Sequence, residues 1–131
     1  MCDKPCSNFQ ENVNQYLVRH QSILDILSKM QETNARSDRA VTKAVTQCGC
    51  IQIQSKKVNI PKDATIEDYK NMLDNNISGE LCETCRDVVE RELGKHLFYI
   101  AALCNALDLD FSSLLMKENS KISTLRYFNL T

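Results

Sequence analysis

Four cysteines fall in two close pairs, and their spacing is the feature of this sequence that most directly implies chemistry. Cys48 and Cys50 are separated by one glycine, and Cys82 and Cys85 are separated by two residues. A C-x-C and a C-x-x-C pair can each supply two ligands to a tetrahedral ion once folding brings the pairs together. Zinc prefers four thiolates in such a closed site, so the pattern predicts a structural Zn²⁺ bound by these four cysteines.

Other uses of the same cysteines stay open at this point. An iron–sulfur cluster also takes four thiolates, although its usual ligand spacings differ from this one. A redox dithiol at Cys82 and Cys85 would resemble the thioredoxin arrangement, although the βαβ pattern of that motif is missing from the sequence. The plainest alternative is four buried thiols without a function.

The other three cysteines have simpler interpretations. Cys104 lies in an apolar run and is predicted to be a small core residue. Cys2 and Cys6 lie in a segment that we expect to be a flexible terminus, and a third metal-binding pair there is not favoured.

Length and composition place the chain in a broad class. With 131 residues, we expect one domain over 1–131. A formal net charge of −1 provides no global basic field for nucleic acid or an acidic membrane. No apolar run approaches the roughly 18 residues of a membrane span, and the first residues lack the apolar core of a signal peptide. We therefore expect a cytoplasmic protein, in which reduced thiols favour metal ligation over disulfides.

Apolar periodicity predicts an all-α domain, a bundle of four to five helices. The stripe that begins at Phe9 is interpreted as two helices with a break near Asn34. Two further helices are predicted, over 80–107 with Ser78 as the N-cap, and from 111 to about 127 with Asp110 as the N-cap.

The middle of the chain is less regular. Thr65 and Asp68 form a capping pair that opens a short helix. Residues 51–54 and 58–60 alternate like short strands, which predicts a small β-hairpin. We expect this segment, around 48–85, to form a cysteine-rich insertion of the zinc-knuckle type.

Glu92 lies on the apolar stripe of the predicted long helix, close to Val88 and Val89. A carboxylate that faces a helical core is costly unless it is paired or bound to a metal ion. Glu92 is therefore the acid that most needs a partner. His96, one turn further on, is predicted to be a hydrogen-bonded histidine rather than a ligand or a base.

The segment 92–126 resembles the MazG-type nucleotide pyrophosphohydrolases, which are all-α enzymes. The Glu-Leu-Gly step at Glu92, followed by an apolar run and Leu-Asp-Leu-Asp at 107–110, is similar to that family's E-L-G-D and L-G-I-D motifs. Asn119 and Lys121 look like the family's N-x-K-F stretch. The resemblance implies a MazG-like bundle, a homodimer and a nucleotide ligand that contacts Asn119 and Lys121.

Departures from the family pattern weaken the case for catalysis. In the family, Mg²⁺ is held by E-x-x-E on one helix and E-x-x-D on another, where it activates water. Here Glu92 matches the first acid of E-x-x-D, but Lys95 replaces the aspartate, and the earlier helices contain no E-x-x-E. Lys95 is expected to pair with Glu92 instead, as an i,i+3 neighbour.

These observations lead to three functional hypotheses. The first is a zinc-stabilised, catalytically degenerate MazG-like protein that acts as a nucleotide-sensing or protein-interaction module. The second is an active nucleoside triphosphate pyrophosphohydrolase, in which Glu92 would be the best catalytic candidate and Mg²⁺ the cofactor. The third is a thiol redox or metal sensor.

Overall fold

The computed structural model describes Asp3–Tyr127, and within that range the chain forms five helices and a two-stranded sheet. The helices are α1 (Asp3–Tyr16), α2 (Ile23–Lys43), α3 (Ile66–Met72), α4 (Glu83–Ala106) and α5 (Phe111–Leu125). The strands are β1 (Ile51–Ile53) and β2 (Ile77–Gly79), and a π-helical turn, Ala44–Cys48, continues α2. The predicted all-α class with a small β insertion is confirmed at this level.

Helices α2 and α4 form the most extensive pair of elements, and α1 packs mainly against α4 and α5. The main core contains Val13 of α1, Ile26 of α2, and Ala101 and Ala102 of α4. Because the two alanines are small, the three helices can approach one another closely at this point. A second core joins α1, α4 and α5 through Cys6, Cys104 and Phe111, which confirms Cys104 as a core residue.

In the described range, no single helix is long and apolar enough to cross a membrane. Helices α4 and α5 meet that criterion only together, as a pair bent by 106°. The apolar residues of α4 include Ala101, Ala102 and Cys104, which are all buried in the core.

Helix α2 is continuous, so the predicted break near Asn34 is wrong. The polar run that suggested a break carries a buried stripe of small residues, Thr33, Ser37 and Ala40, which continues to Ala44 in the π-helical turn. The Thr33 hydroxyl donates to the Lys29 carbonyl at 2.8 Å, and the Ser37 hydroxyl donates to the Thr33 carbonyl at 3.0 Å. These bonds satisfy both hydroxyls, so they can be buried without ending the helix.

Helix α1 begins at Asp3, well before the predicted start at Phe9. Cys6 therefore does not lie in a flexible terminus: it is buried against Cys104 and Phe111. Cys2 lies outside the described residues. The true interruption of the N-terminal stripe comes between α1 and α2, where His20 adopts a φ of 59°.

The predicted helix caps have mixed outcomes. Thr65 and Asp68 form the expected capping box at α3, and Asp110 caps α5 by accepting the Ser113 amide at 3.2 Å. Ser78, in contrast, lies in β2 rather than at the start of α4, and Cys82 occupies the N-cap. Helix α5 ends at Leu125, slightly before the predicted end.

Strand β1 lies where the sequence predicts it, but its partner is β2 rather than residues 58–60. The antiparallel register pairs Ile51 with Gly79 and Ile53 with Ile77. This pairing buries Ile51, and it depends on Gly79, whose φ is 88°. A Cβ at Gly79 would lie only 2.5 Å from the carbonyl oxygen of Cys50.

We predict that Gly79→Ala destabilises the protein by about 2–4 kcal/mol, since it adds a backbone clash to the cost of a left-handed conformation. Gly49→Ala is the matched control: its φ is 77°, but a Cβ there meets no atom within 4 Å. That variant should lose about 1 kcal/mol of the free energy of unfolding, from backbone strain alone. Urea unfolding followed by circular dichroism measures both. Equal losses would contradict the close approach at Gly79.

Candidate functional site

The two cysteine pairs meet because the strands between them are antiparallel. Cys48 and Cys50 precede β1, whereas Cys82 and Cys85 follow β2. In an antiparallel pair the beginning of one strand lies beside the end of the other, so both pairs reach the same end of the sheet. Gly49, in a left-handed conformation, closes the π-helical turn by donating its amide to the Ala44 carbonyl at 2.8 Å.

The four sulfurs form a compact cluster. The Sγ atoms of Cys48, Cys50, Cys82 and Cys85 all lie within 4.8 Å of one another, and all four cysteines are free thiols. The Sγ atoms of Cys48 and Cys82 are 3.8 Å apart. In a tetrahedral site with Zn–S bonds of about 2.3 Å, two sulfurs are about 3.8 Å apart, so the observed distance matches that geometry. The cluster can therefore hold one tetrahedral metal ion.

The same geometry bears on the iron–sulfur alternative. In a [4Fe–4S] cluster each cysteine binds a different iron, and in a [2Fe–2S] cluster each iron binds two of the four cysteines. Sulfurs bound to different irons lie farther apart than the ligands of a single ion. The compact thiol cluster favours a mononuclear site. Cys48 is exposed and the other three cysteines are half-buried, so an ion can reach them from solvent.

Hydrogen bonds distribute the protons unequally within the cluster. Cys82 is the N-cap of α4, and its Sγ accepts the Cys85 amide at 3.4 Å. This bond lowers the pKa of the Cys82 thiol to about 7, whereas the hydrogen bond with the Cys82 side chain raises the pKa of Cys85 to about 12. Without a cation, one thiol of the cluster therefore loses its proton readily, whereas a second thiol resists deprotonation. A divalent cation supplies the charge that allows all four thiols to ionise.

Glu92 faces inward, as predicted, and is 8% exposed. Its Oε2 atom has no hydrogen-bond partner within the described part of the chain. On the next turn of α4, His96 is half-buried, and its Nδ1 lies 2.9 Å from the Thr33 hydroxyl of α2. His96 is thus a hydrogen-bonded histidine at the α2–α4 contact, as predicted.

The expected pair between Glu92 and Lys95 does not form. Lys95 has no ion-pair partner among residues 3–127, and its side chain is exposed and lines a cleft instead. The spacing would allow the pair, but Glu92 is buried whereas Lys95 is exposed, so the ammonium stays in contact with solvent instead.

Asn119 and Lys121, the residues that the resemblance assigns to a nucleotide, are exposed on α5. Lys121 lies 3.7 Å from Glu118, its i,i+3 neighbour. Two positions along a helix differ by about 200°, so Asn119 and Lys121 leave nearly opposite faces of α5. Their role in nucleotide binding stays a prediction.

A cleft lies between α2 and α4, and the sequence did not indicate it. Its volume is about 570 Å³, and its lining includes Lys29, Glu32, Arg36, Arg91 and Lys95. These residues belong to two helices that are far apart in the chain. The sequence signal for this cleft was the spacing of cations within each helix. That spacing places Lys29 and Arg36 on one face of α2, and Arg91 and Lys95 on one face of α4. Without knowledge of the α2–α4 pairing, the two faces could not be combined.

Comparison with models of protein families, with curated proteins and with solved structures finds no match. The candidate function therefore depends on the geometry of this chain and on the resemblance carried by 92–126.

Substitution of Cys82 should separate its two roles. Both Cys82→Ser and Cys82→Ala remove one of the four thiols, and we predict that both lose bound metal. Serine is a good N-cap and alanine is a poor one, so metal-free Cys82→Ala should be about 1 kcal/mol less stable than metal-free Cys82→Ser. Urea unfolding and elemental analysis measure these effects. Full metal content in Cys82→Ser would show that the thiol is not a ligand.

Proposed function

We propose that the protein binds one structural Zn²⁺ through Cys48, Cys50, Cys82 and Cys85. The observation that carries this proposal is the convergence of four free thiols, with every pair of sulfurs within 4.8 Å. Four thiolates fill a tetrahedral zinc site and leave no position for water or substrate. The ion would therefore stabilise the contact between the end of α2, the sheet and the start of α4, rather than take part in a reaction.

We also propose that the helical domain is a catalytically degenerate member of the MazG type, which acts as a nucleotide-sensing or protein-interaction module. Support comes from the acids. Glu92 is buried, and the position where the family has its aspartate is Lys95. Glu32 of α2 is engaged by Lys29 at 2.9 Å and by Arg36 at 3.3 Å. Mg²⁺ needs several free oxygen ligands, and this set of acids provides few.

The active pyrophosphohydrolase remains the alternative. It would require Mg²⁺ held by Glu92 with other acids, after rearrangement of the ion pairs around Glu32. A redox sensor is the second alternative, since a thiol with a pKa of about 7 at a helix N-terminus, as at Cys82, is typical of reactive dithiols.

One experiment on the purified, untagged protein tests the zinc proposal. Elemental mass spectrometry should find about one zinc per chain, and the loss of Cys48 or Cys85 (as Cys48→Ser or Cys85→Ser) should abolish binding. Cys104→Ala is the control, because that thiol is buried in the core and away from the cluster, and it should retain zinc.

Different outcomes would support the alternatives. If the elemental analysis finds about one iron per chain instead of zinc, the four cysteines form an iron site. A metal-free protein with a reversible disulfide between Cys82 and Cys85 would favour the redox sensor. Magnesium-dependent cleavage of dNTPs that Glu92→Ala abolishes would show an active enzyme.

We further propose a homodimer, which the resemblance implies. Apolar side chains of two helices lie exposed in the single chain: Leu24 and Leu27 of α2, and Leu93 and Leu97 of α4. Within each pair the residues are three or four positions apart, so they share one helical face. A soluble protein covers such faces when it associates with a second copy.

Leu93→Lys combined with Leu97→Lys should convert the dimer to a monomer, because two buried charges at an interface are costly. Light scattering coupled to gel filtration measures the mass. Val18→Lys is the control: Val18 is 78% exposed and lies between helices, so its replacement should leave the mass unchanged. A wild-type mass near 15 kDa at all concentrations would reject the dimer.

A further inference from the structure

The cleft between α2 and α4 has an unusual charge. Its lining includes four cationic side chains, Lys29 and Arg36 of α2 and Arg91 and Lys95 of α4, and one carboxylate, Glu32. The whole chain has a formal net charge of −1, so this concentration of positive charge is local. We call it the basic cleft. Its volume, about 570 Å³, is in the range of pockets that bind small molecules.

The cations of α2 are already partly neutralised. Glu32 accepts hydrogen bonds from Lys29 at 2.9 Å and from Arg36 Nε at 3.3 Å. The Lys29 ammonium beside Glu32 contributes most to lowering the pKa of that carboxyl. One carboxylate therefore serves two cations, and each cation keeps further N–H groups that can donate to a ligand.

The cations of α4 have no such partner. Arg91 and Lys95 make no ion pair in the part of the chain that the structure describes, and both are exposed. They are i,i+4 neighbours, an arrangement in which like charges destabilise a helix. An anion placed between the two helices would relieve this repulsion and would use donors that the protein leaves free.

The cleft also provides apolar walls and space. Phe9 of α1 and Phe98 and Tyr99 of α4 contribute to its lining. Gly94 lies between the two free cations, and a Cβ at this position would meet no atom within 4 Å. Glycine in the middle of a helix lowers stability relative to alanine, but here it leaves the floor of the cleft open.

We propose that the basic cleft binds a compact polyanion of the oligophosphate class directly through the Lys29, Arg36, Arg91 and Lys95 side chains, without a bridging divalent cation. Four converging cations match a ligand with several negative charges, and the arginines can each donate two parallel hydrogen bonds to phosphate oxygens. The aromatic side chains can contact an organic group attached to the phosphates.

This inference rests on the ligand-binding role proposed above and names the chemistry of the ligand, but it is independent of zinc. Zinc content is therefore measured on every variant. If the unmodified protein contains zinc but binds neither phosphate probe, the basic cleft alone is overturned, whereas a zinc-free protein that still binds the probes overturns the metal centre alone.

The test is isothermal titration calorimetry of the full chain with inorganic pyrophosphate and tripolyphosphate, in buffer without magnesium. Binding should weaken as salt is added, because the ion pairs are close to solvent. The double variant Arg91→Gln with Lys95→Gln should weaken binding about ten-fold or more, as expected for the loss of charge-assisted hydrogen bonds. Citrate, a polycarboxylate whose charge at neutral pH is similar to that of pyrophosphate, should bind more weakly than pyrophosphate; equal or tighter binding would reject the phosphate class.

A matched control separates the cleft from general electrostatics. Lys56→Gln with Lys57→Gln also removes two exposed cations, but from the loop between β1 and α3, which does not line the cleft. This double variant should retain affinity within about two-fold. Loss of binding in this variant but not in the cleft variant would place the ligand outside the cleft and would overturn the proposal.

Two further variants test binding in the cleft while all four cations stay in place, so that their results do not depend on whether the double variant folds. Gly94→Leu adds bulk without changing charge, and it should block binding in a helix that tolerates leucine well. Glu32→Gln removes the one carboxylate of the cleft lining and should strengthen binding several-fold. If a magnesium ion bridged Glu32 and the ligand, Glu32→Gln would weaken binding instead, because the ion would lose a ligand oxygen. Weaker binding in Glu32→Gln, or no heat with either phosphate probe, would reject direct binding by the cations.

Discussion

The antiparallel pairing of β1 with β2 is the interaction on which the thiol cluster depends. Each strand has three residues, yet their register fixes where two distant parts of the chain meet. Gly79 permits the close approach to Cys50, and Gly49 turns the chain out of the π-helical turn. So small a sheet is weak by itself. A metal ion bound by the flanking cysteines would stabilise both strands at the end where they meet, so the sheet and the site support each other.

The contact between α2 and α4 organises the rest of the molecule. One side of that contact is the small-residue stripe of α2, in which Thr33 reaches His96 across the helix pair. Glu92 is buried nearby on α4, while Arg91 and Lys95 project from the same turns towards solvent. The buried acid and the exposed cations thus belong to different faces of one helix. A magnesium site needs several carboxylates that converge on one point, whereas the exposed side chains of these turns that line the cleft are cations.

The sequence was informative wherever the determining interaction is local. The capping box at Thr65 and Asp68 and the cap at Asp110 involve neighbours three residues apart, and the cysteine spacing reflects ligand geometry directly. Errors arose where a distant partner decides the outcome. Thr33 and Ser37 looked like a helix break because their burial depends on α4, and β1 was paired with the nearest alternating segment instead of β2. The basic cleft required both helices to be seen together, so no pattern within one segment could reveal it.

An ion bound by the four cysteines would also close the long segment between Cys50 and Cys82, which contains both strands and α3. A link across such a segment restricts the unfolded chain, as a disulfide does, but a coordinated ion remains exchangeable. Its contribution then follows mass action: each ten-fold rise in free metal above the dissociation constant adds about 1.4 kcal/mol of stability. With an ion bound as proposed, the free energy of unfolding would be a function of metal supply rather than a fixed property of the polypeptide, and the lifetime of the folded chain would follow the availability of the ion in its surroundings.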